Sequence, residues 1–227
     1  MRNATSNEDS RADRLSSLGG LRRSFVTLLG LAALVAGSIS CGDVVRQGRS
    51  PVFLVVDSVA GIRGGPTAGA PASVLISDVI TNVIAPAPCS AATPCPTIFG
   101  DSGSATLRAP LKNAVQGLAP TTNNDVTVTR YHVEYTRADG RNTPGVDVPY
   151  PFDGVLTGTI TAGVSLTIGF ELVRNVAKQE SPLAQLRGSQ NFITAIARVT
   201  FYGQDRVGNA VSATGQIQID FGNFGDF

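Results

Sequence analysis

Three segments in the second half of the chain alternate apolar and polar residues, and this period constrains the fold more than any other feature. In the first segment, every second position is apolar: Val164, Leu166, Ile168, Phe170 and Leu172. The same period runs through residues 193–201 and 211–221. Successive side chains of a β-strand point to opposite faces, so each segment predicts a strand with one buried and one wetted face.

Turn-forming residues divide the rest of the chain into further short segments. Five of them predict strands: 51–59, 73–83, 105–111, 126–136 and 155–160. Pro110 near the end of the third favours an edge position, because proline cannot donate to a neighbouring strand. Residues 178–186 are the segment that favours a helical turn. The chain therefore predicts an all-β, antiparallel sandwich of about seven or eight strands over 51–221, followed by a C-terminal tail, 222–227, in which Phe224 or Phe227 covers an edge.

The N-terminal segment has the order of an export signal. Arg22 and Arg23 precede an apolar run from Phe25 to Ile39, and Cys41 follows directly. The run is short for a bilayer span, which needs roughly 20 mostly apolar residues. The order resembles a bacterial lipoprotein signal peptide, which implies that 1–40 is removed, that Cys41 is acylated and that 41–50 is a tether. An ordinary cleaved signal and an uncleaved anchor remain alternatives.

The lipoprotein resemblance also implies an address. The protein would be held to a membrane of the bacterial cell envelope by lipid, with its domain in the periplasm or outside the cell. Gly42 stands where some bacteria use Asp for inner-membrane retention, which favours the outer membrane. Residues 21–26 resemble a twin-arginine export motif, so the export route stays open. The acidic residues among 1–20 leave the translation start open as well.

Charge excludes one class of partner. Beyond residue 40, acidic and basic residues nearly balance and form no run of either sign. Nucleic-acid binding depends on a basic face that displaces counterions, so we expect no nucleic-acid partner. The remaining partners are the membrane, through the lipid, and an envelope protein or a glycan.

Cys89 and Cys95 form a close pair in a Pro-rich loop. In an exported protein such a pair predicts a structural disulfide. A redox pair or half of a metal site are the alternatives, but the spacing is neither that of a CxxC redox motif nor one usual for zinc.

Two short motifs carry a resemblance at the level of the fold. Tyr131 to Tyr135, followed by Asp139-Gly140, resembles the third strand of fibronectin type III domains. Asp205 to Asn209, between two alternating segments, resembles the last hairpin of bacterial immunoglobulin-like domains. Both resemblances imply a sandwich of this kind, and neither carries binding residues over to this chain.

Few residues of the chain suggest chemistry. His132 is the single histidine, and the alternation places it on a solvated strand face with Arg130 and Glu134. The chain contains no G-x-S-x-G nucleophile motif, so we expect no catalysis and no cofactor. Asp205 and Asn209 are weak calcium candidates, with Asp139 or Asp220 as further ligands. The alternative is that Asp205 and the pair Gly208-Asn209 serve the turn itself, through bonds from side chain to backbone and a positive φ.

These observations predict a membrane-anchored lipoprotein whose non-catalytic sandwich serves binding or envelope architecture. Sandwiches present ligands from loops, so the expected contact surfaces are Gly61–Ala72, Ile84–Gly103 and Asn142–Asp153. One alternative is a carbohydrate-binding module that uses Tyr135, Tyr150 and Tyr202 as a stacking platform. Another is an envelope hydrolase that uses a pair of carboxylates.

Overall fold

The computed structural model describes residues 48–113 and 119–224. The chain divides into two compact units, Met1–Gly48 and Arg49–Phe227. The predicted signal peptide, Cys41 and most of the predicted tether lie outside the described residues, as does Phe227. All the described strands lie in the second unit.

The second unit is all-β, as predicted. Its described strands are β1 (Val55–Ile62), β2 (Val74–Asp78), β3 (Thr81–Val83), β4 (Cys95–Thr97), β5 (Asp101–Arg108), β6 (Val126–Thr136), β7 (Phe152–Ile160), β8 (Ser165–Val173), β9 (Ile193–Asp205) and β10 (Ala210–Gly222). One sheet has the order β1-β5-β8 and a second has the order β2-β10-β9-β6-β7, while β3 and β4 form a small ribbon. Short 3-10 helices occupy Thr122–Asn124, Val176–Gln179 and Leu183–Leu186. The last two confirm the helical turns expected near 178–186.

Two details of the predicted topology were wrong. The larger sheet is mixed, because β2 pairs with β10 in parallel. The loop after β1 returns to that strand, where the Gly61 and Ala72 amides each bond the other's carbonyl, so β2 then runs parallel to β10. Strand β5 is central rather than an edge, because Pro110 lies beyond its end and only accepts a bond from the Phe53 amide.

The predicted strand 73–83 is also interrupted. It forms β2 in the large sheet and β3 in the ribbon. Between them Val79 is fully buried, and its amide bonds the Gly222 carbonyl. The chain therefore leaves the large sheet at Asp78, where it joins the end of β10.

One continuous core lies between the two main sheets. Tyr131 of β6 packs edge-to-face on Phe170 of β8, with ring centroids 5.3 Å apart, and Phe170 packs on Phe201 at 5.4 Å. The alternation in the sequence produces this core, because Tyr131, Val133 and Tyr135 share the buried face of β6. Gly154 of β7 lies so close to the Tyr131 ring that a Cβ atom there would approach it to 2.1 Å.

The strand pairing defines two ends of this unit. At the entry end, Val126 pairs with both Ile160 and Asp205, and the turns β7–β8 and β9–β10 lie there. Ser50 is buried at this end, where its hydroxyl bonds Asp205. The last residue of the predicted tether, Ser50, is therefore part of the folded domain.

At the loop end, Gly222 pairs with Asp78 and Asp101 pairs with Val173. Phe152, the first residue of β7, pairs with Val133 in the same region. Tyr135 joins the two sheets here through a 2.7 Å hydrogen bond to the Leu172 carbonyl. In the described part of the chain, no helix is long and apolar enough to cross a bilayer.

Candidate functional site: the loop end

Four connections of the described chain lie at the loop end: 79–100, 137–151 and 174–192 begin and finish there, and 63–73 begins there and leads back along the sheet to the start of β2. They include most of the three loops predicted as contact surfaces, which the strand directions bring to the same end of the unit. The predicted loop Ile84–Gly103 is partly ordered, because β4 and the beginning of β5 lie within it. This end therefore presents most of the irregular surface of the described chain.

The predicted disulfide between Cys89 and Cys95 is confirmed. Between the two cysteines, Ser90 and Thr93 form a tight turn in which each amide bonds the other's carbonyl. Cys95 is the first residue of β4, so the bond ties the tip of the connection 79–100 to the β3–β4 ribbon. The disulfide and the turn bonds therefore hold the tip of this loop, and not a hydrophobic core.

Six of the twelve large apolar side chains that are exposed in the described chain lie at the loop end. In the four connections and the tail these are Ile84, Val146, Tyr150, Val176, Phe192 and Phe224. Phe192 and Val146 are 64% and 65% exposed. Asn223 donates to the Arg187 carbonyl, so the tail is partly docked, but Phe224 remains exposed. Clusters of exposed apolar residues with a polar surround are typical of binding surfaces.

A shallow groove of about 590 Å³ crosses the outer face of the three-stranded sheet beside the loop end. Its lining includes Ile62, Ser102, Ser104, Gly169 and Glu171, all on adjacent strands. Gly169 leaves the floor open, because a Cβ atom there would come no closer than 3.9 Å to the backbone of β5. The groove offers hydroxyls, the Glu171 carboxylate and the Ile62 side chain, and the buried residues Asp101 and Phe170 also border it.

A buried polar cluster lies behind this groove. Lys178 Nζ lies 2.8 Å from Asp101 Oδ2, and the two side chains are 1% and 0% exposed. Ser77 Oγ donates to the same oxygen at 2.6 Å, and the Gly64 amide donates to Asp101 Oδ1 at 2.8 Å. Lys178 Nζ also donates to the Asp78 carbonyl at 2.8 Å. The cluster joins β2, β5 and the two connections 63–73 and 174–192.

Burial lowers the pKa of Lys178, because an ammonium loses hydration inside a protein. Attraction to Asp101 and Asp78 opposes this shift without cancelling it. The sequence did not reveal this cluster, because its members lie far apart along the chain and Asp101 fell within a predicted loop. The sequence contains one indication that Lys178 is unusual, because the chain has only two lysines and the other is Lys112.

The tyrosine platform predicted for a carbohydrate-binding module is not assembled. Tyr135 is 4% exposed and bonds the Leu172 carbonyl, because it shares the core face of β6. Burial raises the pKa of Tyr135 far above its ordinary value. Tyr202 lies on the outer face of the large sheet. The Arg130 guanidinium carbon lies over it, 4.0 Å from the centroid of the Tyr202 ring. Tyr150 packs on Gly145 in the connection 137–151.

His132 lies on the outer face of the large sheet, as predicted. Its Nδ1 is 3.2 Å from Asp153 Oδ1 of β7, and Arg130 approaches the same oxygen at 3.7 Å. The carboxylate beside His132 is therefore Asp153, whereas Glu134 pairs with Arg198 at 3.2 Å. These contacts form a polar ladder across neighbouring strands.

The calcium set considered from the sequence is not brought together. Asp139 and Asp220 lie toward the loop end, whereas Asp205 and Asn209 lie at the entry end. Both Asp205 oxygens serve the turn: Oδ1 accepts from the Val207 and Asn209 amides, and Oδ2 accepts from the Asn209 side chain. Gly208 has φ +89°, as the turn alternative required. Among the described residues, no three His, Cys, Asp or Glu side chains form a group that could hold a metal.

No protein-family model matches this chain, and no curated protein matches its sequence.

Proposed function

We propose that this chain is a lipid-anchored protein of the bacterial cell envelope whose domain binds an envelope protein or glycan through its loop end. The observation that carries this proposal is the opposition of the two ends. Ser50 lies at the entry end, while the long connections, half of the exposed large apolar residues and the groove lie at or beside the other. A lipid on Cys41 would be attached nine residues before Ser50, and Ser50 lies at the end of the domain opposite the loop end.

The sequence and the disulfide support the address. The N-terminal sequence follows the order of a lipoprotein signal: Arg22 and Arg23 come first, then the apolar run to Ile39, then Cys41. The Cys89–Cys95 bond is of a kind that persists in oxidising compartments outside the cytosol. Gly42 favours the outer membrane as the site of attachment.

The surface chemistry supports binding without catalysis. The loop end combines apolar side chains such as Val146 and Phe192 with a groove lined by hydroxyls and Glu171. Binding surfaces commonly combine an apolar centre with a polar rim. The outer face of the large sheet is instead occupied by its own ion pairs, such as Glu134 with Arg198.

We propose the class of β-sandwich as well. Two main sheets around one core, with a β9–β10 hairpin closed by Asp205 and Asn209, support an immunoglobulin-like or fibronectin-like sandwich. Domains of this class carry ligand-binding loops at their ends.

The anchor is tested with Cys41→Ser in the native host. Wild-type protein should enter the detergent phase and resist extraction by salt, because two or three acyl chains give stable attachment and the near-neutral charge gives little. Cys41→Ser should lose the lipid, and mass spectrometry of the wild type should find a mature N-terminus at Cys41 with added diacylglyceryl mass. The matched control is Cys89→Ser with Cys95→Ser, which removes the other two cysteines and should stay membrane-bound. An unmodified Cys41 in membrane-bound wild type would contradict the proposal.

The groove is tested by filling it. Gly169→Leu places a side chain in the open floor, where the backbone leaves room for it. Ser165→Leu adds a similar exposed apolar group to β8 at the entry end and serves as the control. Cross-linking in the intact envelope followed by mass spectrometry should lose its specific neighbour in Gly169→Leu and retain it in Ser165→Leu. Equal cross-linking in both would exclude the groove as part of the binding surface.

A further inference from the structure

The Lys178–Asp101 contact brings together a primary amine and a carboxyl group, which can condense to an amide. Each group is almost completely buried, and Lys178 Nζ already lies 2.8 Å from one oxygen of the Asp101 carboxyl. Two reacting groups held at this range on one scaffold react as a unimolecular pair, which raises their effective concentration enormously. Water, the competing nucleophile and the product of condensation, is largely excluded from both side chains.

We propose that Lys178 and Asp101 form an intramolecular isopeptide bond, which links the connection 174–192 covalently to the first residue of β5. The inference does not depend on the proposed function, because it concerns the inside of the domain and not its partner.

Burial prepares the two groups for this reaction. A buried ion pair loses the hydration of both charges, which favours transfer of a proton from the ammonium to the carboxylate. The lowered pKa of Lys178 is in the direction that this transfer requires. The transfer leaves a neutral amine, which is nucleophilic, facing a neutral carboxylic acid, which is the more electrophilic form.

The contacts of Asp101 match the charges that develop during attack. Nζ attacks Cγ, and negative charge develops on Oδ1, which already accepts the Gly64 amide at 2.8 Å. A backbone N–H aimed at such an oxygen stabilises the tetrahedral intermediate. Oδ2, the oxygen that leaves, accepts the Ser77 hydroxyl at 2.6 Å.

The step balances without an added reactant. The bond between Nζ and Cγ forms, and the bond between Cγ and Oδ2 breaks. Oδ2 departs as water with the proton of the carboxylic acid and one proton from Nζ. Nothing is oxidised or reduced, and two buried charges are replaced by one neutral amide.

The choice of lysine at position 178 is consistent with this role. The chain uses arginine at nearly all of its basic positions and has lysine only at 112 and 178. An arginine could supply a buried cation with more hydrogen bonds, but its guanidinium stays protonated and is a poor nucleophile. Lys112 provides a matched comparison, because its ammonium lies 5.1 Å from the centre of the Phe53 ring.

Trypsin digestion of the full chain tests the bond directly. Trypsin cannot cleave after an acylated lysine, so residues 175–187 should remain intact and be joined to residues 64–108. The mass of the joined species should equal the sum of the two peptides less one water. Cleavage after Lys112 should be complete in the same digest.

Lys178→Arg and Asp101→Ala should lose the joined species entirely, whereas Lys112→Met should retain it. Wild-type protein that yields free 64–108 together with separate 175–178 and 179–187 would overturn the proposal. Because the wild-type digest decides the question alone, the proposal stays falsifiable even if a variant fails to fold.

Discussion

Asp205 at the entry end and Asp101 at the loop end are both buried carboxylates, and they draw their hydrogen bonds from different distances along the chain. At the entry end, Asp205 accepts most of its bonds from residues two and four positions further along its own turn, and one from the distant Ser50. At the loop end, the bonds to Asp101 come from Ser77 and Gly64, 24 and 37 positions away, and from the still more distant Lys178. A local turn forms with its hairpin, whereas the loop-end cluster requires the whole domain. Substitutions at the loop end should therefore cost more and act over a longer range.

The largest expected effect is that of Lys178→Met. It removes both the Lys178 contact and the proposed amide bond and leaves the Asp101 carboxylate buried without a cation, which costs at least about 3–5 kcal/mol of unfolding free energy. Thermal or urea unfolding measures the loss. Lys112→Met is the control and should lose much less stability, because Lys112 is only half-buried and its contact with the Phe53 ring is worth about 1 kcal/mol or less. A Lys178→Met variant as stable as wild type would show that the cluster does not hold the loop end.

Asp205→Ala should have the next largest effect, about 1–3 kcal/mol, because the β9–β10 turn loses a charged acceptor of several hydrogen bonds. Burial would raise the pKa of Asp205, but bonds from Asn209, Ser50 and Val207 outweigh burial and lower it below 3.8. A lowered pKa in the folded state contributes stability above the unfolded value, and that stability is lost as the pH falls through the folded value.

The gap in stability between wild type and Asp205→Ala should therefore be constant above about pH 5 and shrink as the pH falls toward 2. Unfolding in urea across this range measures it. A gap that widens in acid would contradict the assigned role of the carboxylate.

Reduction of Cys89–Cys95 should cost about 2 kcal/mol or less, because the entropy that a disulfide removes from the unfolded chain is small for a short loop. The change should stay within the connection 79–100 and the β3–β4 ribbon. Amide hydrogen exchange under reducing conditions measures it, with β6 and β9 as internal references. Faster exchange in β6 and β9 would show that the disulfide supports the main sheets.

The smallest effect should come from the exposed ion pair of Asp57 with Arg108 near the entry end, although its atoms lie 3.0 Å apart. Solvent and salt screen exposed pairs, so Asp57→Asn should leave the unfolding midpoint unchanged within error. A clear loss of stability that disappears at high salt would show that this pair is stronger than exposed pairs usually are.

The contrast between contacts that are local in the chain and contacts that are distant also explains which features the sequence predicts. The strict alternation fixed β8, β9 and β10 within a few residues, and β6 coincides with the predicted 126–136, because the period of a strand is local. The roles of Asp205 and Gly208 followed from turn chemistry for the same reason.

The pairing of β2 with β10, the central position of β5 and the Lys178–Asp101 contact depend on partners far away in the chain. No local pattern encodes those partners, so the context of Pro110 and of Lys178 in the sequence does not indicate what each strand or side chain contacts. The sequence therefore predicts the loops of the candidate site, but it does not predict the buried Lys178–Asp101 cluster that holds them.

The opposition of the two ends is tested most directly by a matched pair of photo-cross-linking residues in the native envelope. Val146 at the loop end and Val207 in the β9–β10 turn are 65% and 69% exposed, so a probe at either is equally accessible. The proposal predicts a reproducible neighbour, protein or glycan, captured from position 146 and absent from position 207. Capture of the same neighbour from position 207, and none from position 146, would contradict it.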